Sequence, residues 1–207
     1  VITTELRPDL TEEEFISAPR VSDETLEEIS ASTYVESTEQ VHDQFLVSDE
    51  LSPIEASVMQ VPPFRFFTTQ YELPLYFRDG SAVLQQGRGF NEEELSSRTP
   101  SIIMHKELAE QNNLSIGDSI NFYMYIGHGQ QKAFSGEGGI TEDEKAWFNN
   151  AKIIGLFTYN EQEERNSLSV LDTAGSEKNH IYVNDSSMKP FYDAAFDKEL
   201  MLYEAGL

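Results

Sequence analysis

Four of the five residues from Ile153 to Phe157 are large and apolar, with Gly155 the exception. A strand that is apolar on both faces must be covered on both sides, so this segment belongs inside a sheet and not at its edge. From Ile120 to Ile126 the pattern differs. Ile120, Phe122, Met124 and Ile126 alternate with Asn121, Tyr123 and Tyr125, which is the period of a half-buried strand. Shorter apolar segments at Phe64, Phe66 and Phe67, at Ile102 to Met104 and at Ile181 to Val183 read as further strands. Thr33, Tyr34 and Val35, followed by Val41, Phe45 and Val47, suggest a strand or hairpin, and Leu200 to Tyr203 begin a last strand.

Helices fall between these strands. Ser22 is placed to cap a helix whose first turn holds Asp23 and Glu24, with Val21 and Leu26 as its hydrophobic staple. Asn91 with Glu94 forms a capping box, and Phe90 with Leu95 the matching staple, so a short helix follows Gly89. A brief helix runs from His105 to Gln111, ended by Asn112 and Asn113. Thr141 and Glu144 form another capping box, which predicts a helical turn around Trp147. Ser186 or Ser187 caps a helix carrying Met188, Phe191, Tyr192 and Ala195, with Pro190 near its start. The Gly-rich segment from Gly127 to Gly139 and the polar segment from Asn160 to Lys178 read as exposed loops, and Gly117-Asp118 as a turn. Strands and short helices interleave without a regular βαβ period or a repeat, so the expected fold class is α+β, with mixed sheets and short helices.

Charge narrows the function. The 207 residues hold 37 Asp and Glu against 14 Lys and Arg, a formal net charge of -23. Thirteen Phe, nine Tyr and one Trp exclude an acidic disordered tail, so the charge decorates a folded surface. That surface repels phosphates and anionic headgroups, which argues against nucleic acid and favours cationic partners. With no cysteine there is no disulfide framework, thiolate metal site or cysteine nucleophile. No stretch approaches the roughly 18 apolar residues of a membrane helix, and no basic start with an apolar run marks a signal peptide. The chain opens at Val1 and stops at Leu207 in an unfinished apolar pattern, as expected of a fragment of something longer.

Catalytic patterns are missing. His42, His105, His128 and His180 do not cluster in sequence, and none has a second His at the spacing that one helix face needs for a metal. G-x-S-x-G is absent. Gly87-Arg88-Gly89 lacks the rest of a phosphate-binding loop and reads as a turn. Neither Asp79-Gly80 nor Glu161 to Glu164 supplies the alternating ligands of a calcium loop, and with 37 acids any carboxylate pair is unspecific. No catalytic, cofactor-binding or metal-ligating residue is therefore assigned, and no cofactor is expected.

One ordered set of motifs discriminates. Leu84-Gln85-Gln86-Gly87-Arg88-Gly89-Phe90, then Asn91 to Leu95, Ser101 to Met104, Glu107-Leu108-Ala109, and Leu114-Ser115-Ile116-Gly117-Asp118-Ser119-Ile120 follow one another. Together they resemble the extracellular, MacB-like periplasmic core domain of FtsX-like ABC transporter permeases. Ala151 to Phe157, Ile181-Tyr182-Val183 with Ser186, and Ser22 to Val35 extend the similarity over most of residues 22 to 203. The excursions at 127 to 139 and 160 to 178 are longer than the family's connections.

The resemblance implies a membrane-proximal βαββαβ-like lobe with an inserted distal mixed α/β lobe. On this chain they fall at residues 1–63, 64–185 and 186–207, the last being the truncated return to the proximal lobe. It also implies a non-catalytic domain on the extracellular face of a bacterial cell membrane, expected to be Gram-positive, in a parent that is membrane-embedded and dimeric. ATP would be hydrolysed by a separate cytoplasmic ATP-binding subunit. Other partners implied are an extracellular protein, a lipoprotein or a cationic peptide. The alternative is a secreted or surface-anchored module that binds peptide or glycan, and an acid-pair hydrolase ranks last.

Overall fold

The computed structural model describes residues 23–35, 41–54, 64–136, 138–160 and 177–204. The chain divides into two compact units, Val1–Glu39 and Gln40–Leu207.

In the first unit helix α1 spans Asp23–Ser30. Its expected cap, Ser22, lies outside the described residues. Thr33 to Val35 do not form the expected strand. The Ser32 hydroxyl accepts from the Tyr34 amide at 3.4 Å and the Val35 amide reaches the Ser32 carbonyl at 3.1 Å. A serine that offers the backbone this local partner favours a turn over β-branched propensity.

The second unit is one seven-stranded mixed sheet with helices around it, so α+β is the observed class. In chain order the strands are β1 Asp43–Leu46, β2 Phe64–Thr69, β3 Ala82–Gly87, β4 Ser101–His105, β5 Ser119–Tyr125, β6 Lys145–Tyr159 and β7 His180–Asn184. The order across the sheet is β1-β2-β7-β4-β6-β3, and β5 also pairs with β6. β4 and β5 both register with Lys152, hence lie on opposite sides of β6, and β3 and β5 follow one another along the side away from β4.

Alternation along the central strands divides the core between the two faces of the sheet. Phe66, Ile102, Met104, Ile153, Ile181 and Val183 join one cluster, and Phe67, Ile103, Ile154, Phe157 and Tyr182 the other. All five residues of β4 are buried. The expectation for Ile153 to Phe157 holds: this half of β6 has neighbours on both sides and cover on both faces. The division expected at residues 63/64 and 185/186 falls between β1 and β2, which pair antiparallel, and between β7 and the helix that follows directly.

Among the described residues of this unit the helices are α2 Leu75–Arg78, α3 Glu92–Ser96, α4 Lys106–Gln111, α5 His128–Ser135 and α6 Asp185–Glu204, with single 3-10 turns η1 Glu142–Glu144 and η2 Glu177–Asn179. Three expectations need correction. The Gly-rich segment after β5 holds α5, because Gly127 at φ 53 turns the chain out of the strand and Gly136 at φ 71 ends the helix in a left-handed cap. Gly127 and Gly136 punctuate a helix, and Gly138 and Gly139 lie in irregular chain after it. The Thr141 and Glu144 box closes only η1, and Trp147 lies on β6. Leu200 to Tyr203 are the last turns of α6, because Met188, Phe191, Ala195 and Leu202 repeat at helical spacing against the core. The strand β3 and helix α2 were not legible, since Gln85 and Gln86 break the alternation on an edge strand.

Candidate functional site

The Gly127-side half of β6 and its partner β5 present an open face with a shallow recess of about 410 Å³, lined by Asp49, Glu50, Asn121, Trp147 and Asn149. Period-2 geometry puts Lys145, Trp147 and Asn149 on one face of β6, and Tyr123 stands opposite Trp147 in register. Their rings pack with centroids 4.8 Å apart. Trp147 keeps 37% of its surface exposed, which is unusual for the one tryptophan of a chain with a large core.

The two carboxylates come from the segment after β1. Val47 bridges Tyr123 through both backbone hydrogen bonds, at 2.8 and 2.9 Å, and so draws this segment against β5. The Ser48 hydroxyl donates to the Asn121 carbonyl and accepts from the Glu50 amide. Glu50 then accepts from the Asn121 side-chain amide at 2.7 Å and the Asn121 backbone at 3.3 Å. Asp49 accepts from the Tyr123 hydroxyl at 2.8 Å, and burial first, then side-chain hydrogen bonding with Tyr125 and with Asp49, drives the Tyr123 pKa upward.

The cation already present is taken up internally. Lys145 Nζ lies 4.5 Å from the Tyr123 ring centroid and 5.4 Å from that of Trp147, 3.0 Å from Glu142 and 3.9 Å from Asp49. Glu142 also accepts from the Trp147 indole at 3.1 Å, and the Lys145 bond first and the indole second hold its carboxyl below the ordinary range. The recess itself is lined by two acids, two amides and an indole, with no base. Such a surface suits a cation, which gains from carboxylates and from an aromatic face together. The sequence does not single it out, because the Thr141 and Glu144 box predicts a helical turn around Trp147 and Asp49 and Glu50 are two acids among 37.

The histidines do not cluster in sequence, yet two of them meet the same tyrosine in the fold. His105 stacks on Tyr159 at 6.3 Å, and His180 Nδ1 lies 2.9 Å from the Tyr159 hydroxyl, which is also 2.9 Å from that of Tyr182. Desolvation raises the pKa of both tyrosines, so at neutral pH the two phenols are uncharged. His42 is exposed and packs edge-on to Tyr192 at 6.3 Å, and His128 is an exposed residue opening α5. Among the described residues no three His, Asp or Glu side chains are grouped to hold a metal.

Gly87-Arg88-Gly89 has a structural use. Gly87 has φ +77 and a side chain there would meet the Ile154 carbonyl at 2.3 Å, one at Gly89 would meet the Glu72 carbonyl at 2.5 Å, and one at Gly155 the Arg88 carbonyl at 2.7 Å. Three glycines thus let the exit of β3 lie directly on β6 and on the segment before α2. Arg88 then forks onto Glu94 at 2.6 and 2.9 Å, and the same carboxylate closes the predicted capping box with Asn91. Arg88 first among the causes holds the Glu94 pKa below the ordinary range. Asp79-Gly80 is a turn ending α2, and Glu161 to Glu164 lie outside the described residues.

No family model and no curated protein sequence matches the chain. Among solved structures it is similar to the periplasmic region of MacB from Actinobacillus actinomycetemcomitans, with 12% identity and a TM-score of 0.39, over 79% of this chain and 54% of that one. The chain thus spans about half the length of that region. Among the described residues no helix is long and apolar enough to cross a membrane.

Proposed function

We propose that the chain is a non-catalytic extracellular domain of an ABC permease, that a separate cytoplasmic ATP-binding subunit drives its parent, and that the Trp147 recess grips a basic segment of an extracellular peptide or protein. The permease part is supported by the ordered motifs from Leu84 to Ile120. The binding part rests on one observation: a recess with an exposed indole and two carboxylates held by Asn121 and Tyr123, in a chain of net charge -23. Preorganised acids beside an aromatic face cost little ordering when a lysine or arginine side chain arrives.

Two experiments test the two parts separately. The chain has no cysteine, so a single cysteine at the exposed Gln85 reports topology in a full-length parent whose cysteines elsewhere are replaced by serine. A membrane-impermeant maleimide labels it in intact cells if the domain is extracellular, and labelling only after lysis overturns the assignment. Titration of the domain with an Arg- and Lys-rich peptide tests the recess. Binding is expected to weaken about fivefold in Trp147→Ala and to fall steeply with salt, and equal affinity for both proteins overturns it. A surface-anchored glycan-binding module is the second reading, favoured by the pairing of Trp147 with Asn121 and Asn149; saturable binding of a neutral oligosaccharide, with none of the peptide, would establish it instead.

A further inference from the structure

His105 stands where β4 becomes α4. It is 1% exposed, packed edge-on to Phe157 at 5.3 Å and stacked on Tyr159. Its Nδ1 accepts from the Glu107 amide at 3.3 Å and so caps α4. A ring nitrogen that accepts carries no hydrogen, so the neutral ring holds its proton on Nε2, which is buried and has no partner. One proton more places an N–H on Nδ1 opposite the Glu107 N–H, donor against donor. The cap and the protonated ring are mutually exclusive.

The helix that this cap starts is a clamp. It buries Leu108 and Ala109 in the core. From its C-terminal end the Gln111 amide reaches the carbonyls of Ser52 and Pro53 at 2.9 and 3.1 Å, and Asn112 exchanges two hydrogen bonds with Ser52 at 2.7 and 3.0 Å. From the other side Asn179 of η2 pairs with both backbone groups of Ile54 at 2.8 Å. Residues 51–54 are thereby a strap held by α4 and η2, and Asp49 and Glu50 of the recess directly precede it.

The titratable groups around His105 do not rescue a proton there. Glu107 on α4 attracts it, but Lys178 of η2 sits 2.8 Å from Glu107 and opposes it. On β6 and β7 the neighbours are the neutral Tyr159 and Tyr182 hydroxyls and His180. Lys106 turns to Glu110 at 3.6 Å.

We infer that His105 is an acid-sensitive catch, whose protonation releases the first turn of α4 and with it the 51–54 strap that carries the rim of the recess. Burial agrees with the geometry, pushing the imidazole down to about 4 from an ordinary 6.5. An opened α4 exposes the ring, which then takes up its proton near 6.5. Opening is therefore favoured progressively as pH falls from 6.5 to 4, by roughly twentyfold between pH 7 and pH 5.

The test is hydrogen exchange of the whole chain at pH 7 and pH 5, corrected for intrinsic rates, with an imidazole NMR titration alongside. Amides of 106–113 and 51–54 are expected to lose about twentyfold protection in the wild type and none in His105→Asn, where a non-titrating amide oxygen can cap. The His105 ring is expected to stay neutral to below pH 5. A midpoint near 6.5 with α4 still protected overturns the catch, as does an equal pH response in the variant or across β2. Loosening of 106–113 with 51–54 unchanged removes the strap from the proposal. Should the variant not fold, the wild-type exchange and titration decide. Neither readout involves a ligand, so they stand whatever the recess binds.

Discussion

Strand β6 contains two different environments in one run of fifteen residues. From Ala151 to Phe157 it has β4 on one side and the end of β5, then β3, on the other, with both faces covered, and its side chains are almost all buried. From Lys145 to Asn150 it pairs with β5 and shows one face to solvent, where Lys145, Trp147 and Asn149 stand. The first half is a beam of the core. The second uses the same backbone to hold an aromatic and polar surface in fixed register. A rigid strand can present a site more accurately than a loop can, and the contrast explains why this open recess sits on the continuation of a buried strand.

If the halves differ in this way, truncation must cost unequally. Phe157→Ala is expected to lose about 3–5 kcal/mol, since Phe157 is fully buried against Phe77, Tyr159 and Tyr182. Trp147→Ala should cost about 1 kcal/mol or less despite removing a larger ring, because that ring is partly solvated. Urea unfolding of the two variants measures this, and comparable losses would break the distinction.

Backbone proximity gives the next largest effect. Gly155→Ala forces a methyl to 2.7 Å from the Arg88 carbonyl, expected to cost about 1–3 kcal/mol. Gly138→Ala is the control, with nothing within 4 Å of the added carbon, and should stay within about 0.5 kcal/mol of the parent. Thermal unfolding separates them.

A smaller effect sharpens the comparison through pH. The Glu94 pKa is lowered in the folded chain, so its bonds to Arg88 and to the Asn91 amide contribute fully above the unfolded pKa of about 4.5 and are lost as pH falls through the folded value. Glu94→Gln is expected to be destabilised by about 1 kcal/mol at pH 7 and to converge with the parent near pH 3. A gap that is constant with pH would mean that the clasp is not electrostatic. The smallest change belongs to the open half. Glu50→Gln should leave stability within about 0.5 kcal/mol and show itself only as several-fold weaker binding of a basic peptide.

Legibility followed the same line. The strands whose apolar pattern is set by the core, at Ile102 to Met104, Ile120 to Ile126, Ile153 to Phe157 and Ile181 to Val183, were readable because burial imposes a period on sequence. The Asn91 and Glu94 box was readable because it is a local contact of four residues. Edge strand β3 was hidden, since solvent tolerates Gln85 and Gln86 there. Helix α5 was hidden behind its own terminal glycines. The recess left no mark: Asp49 and Glu50 meet Asn121 and Trp147 across some 70 to 100 residues of chain, and nothing in the spacing of acids singles out those two.

By itself the sequence determined the class of fold, the central place of Ile153 to Phe157, the Asn91 cap and the negative sign of the surface. Each follows from residues that are neighbours in the chain or from a sum over all of them. Only the tertiary structure decided that β6 runs on to Lys145, that His105 and His180 meet at Tyr159, and that Asp49, Glu50 and Trp147 share a recess. The physical reason is that such meetings are set by which strands pair and in what register, and pairing is chosen by the summed burial of the whole sheet, a quantity no single segment carries.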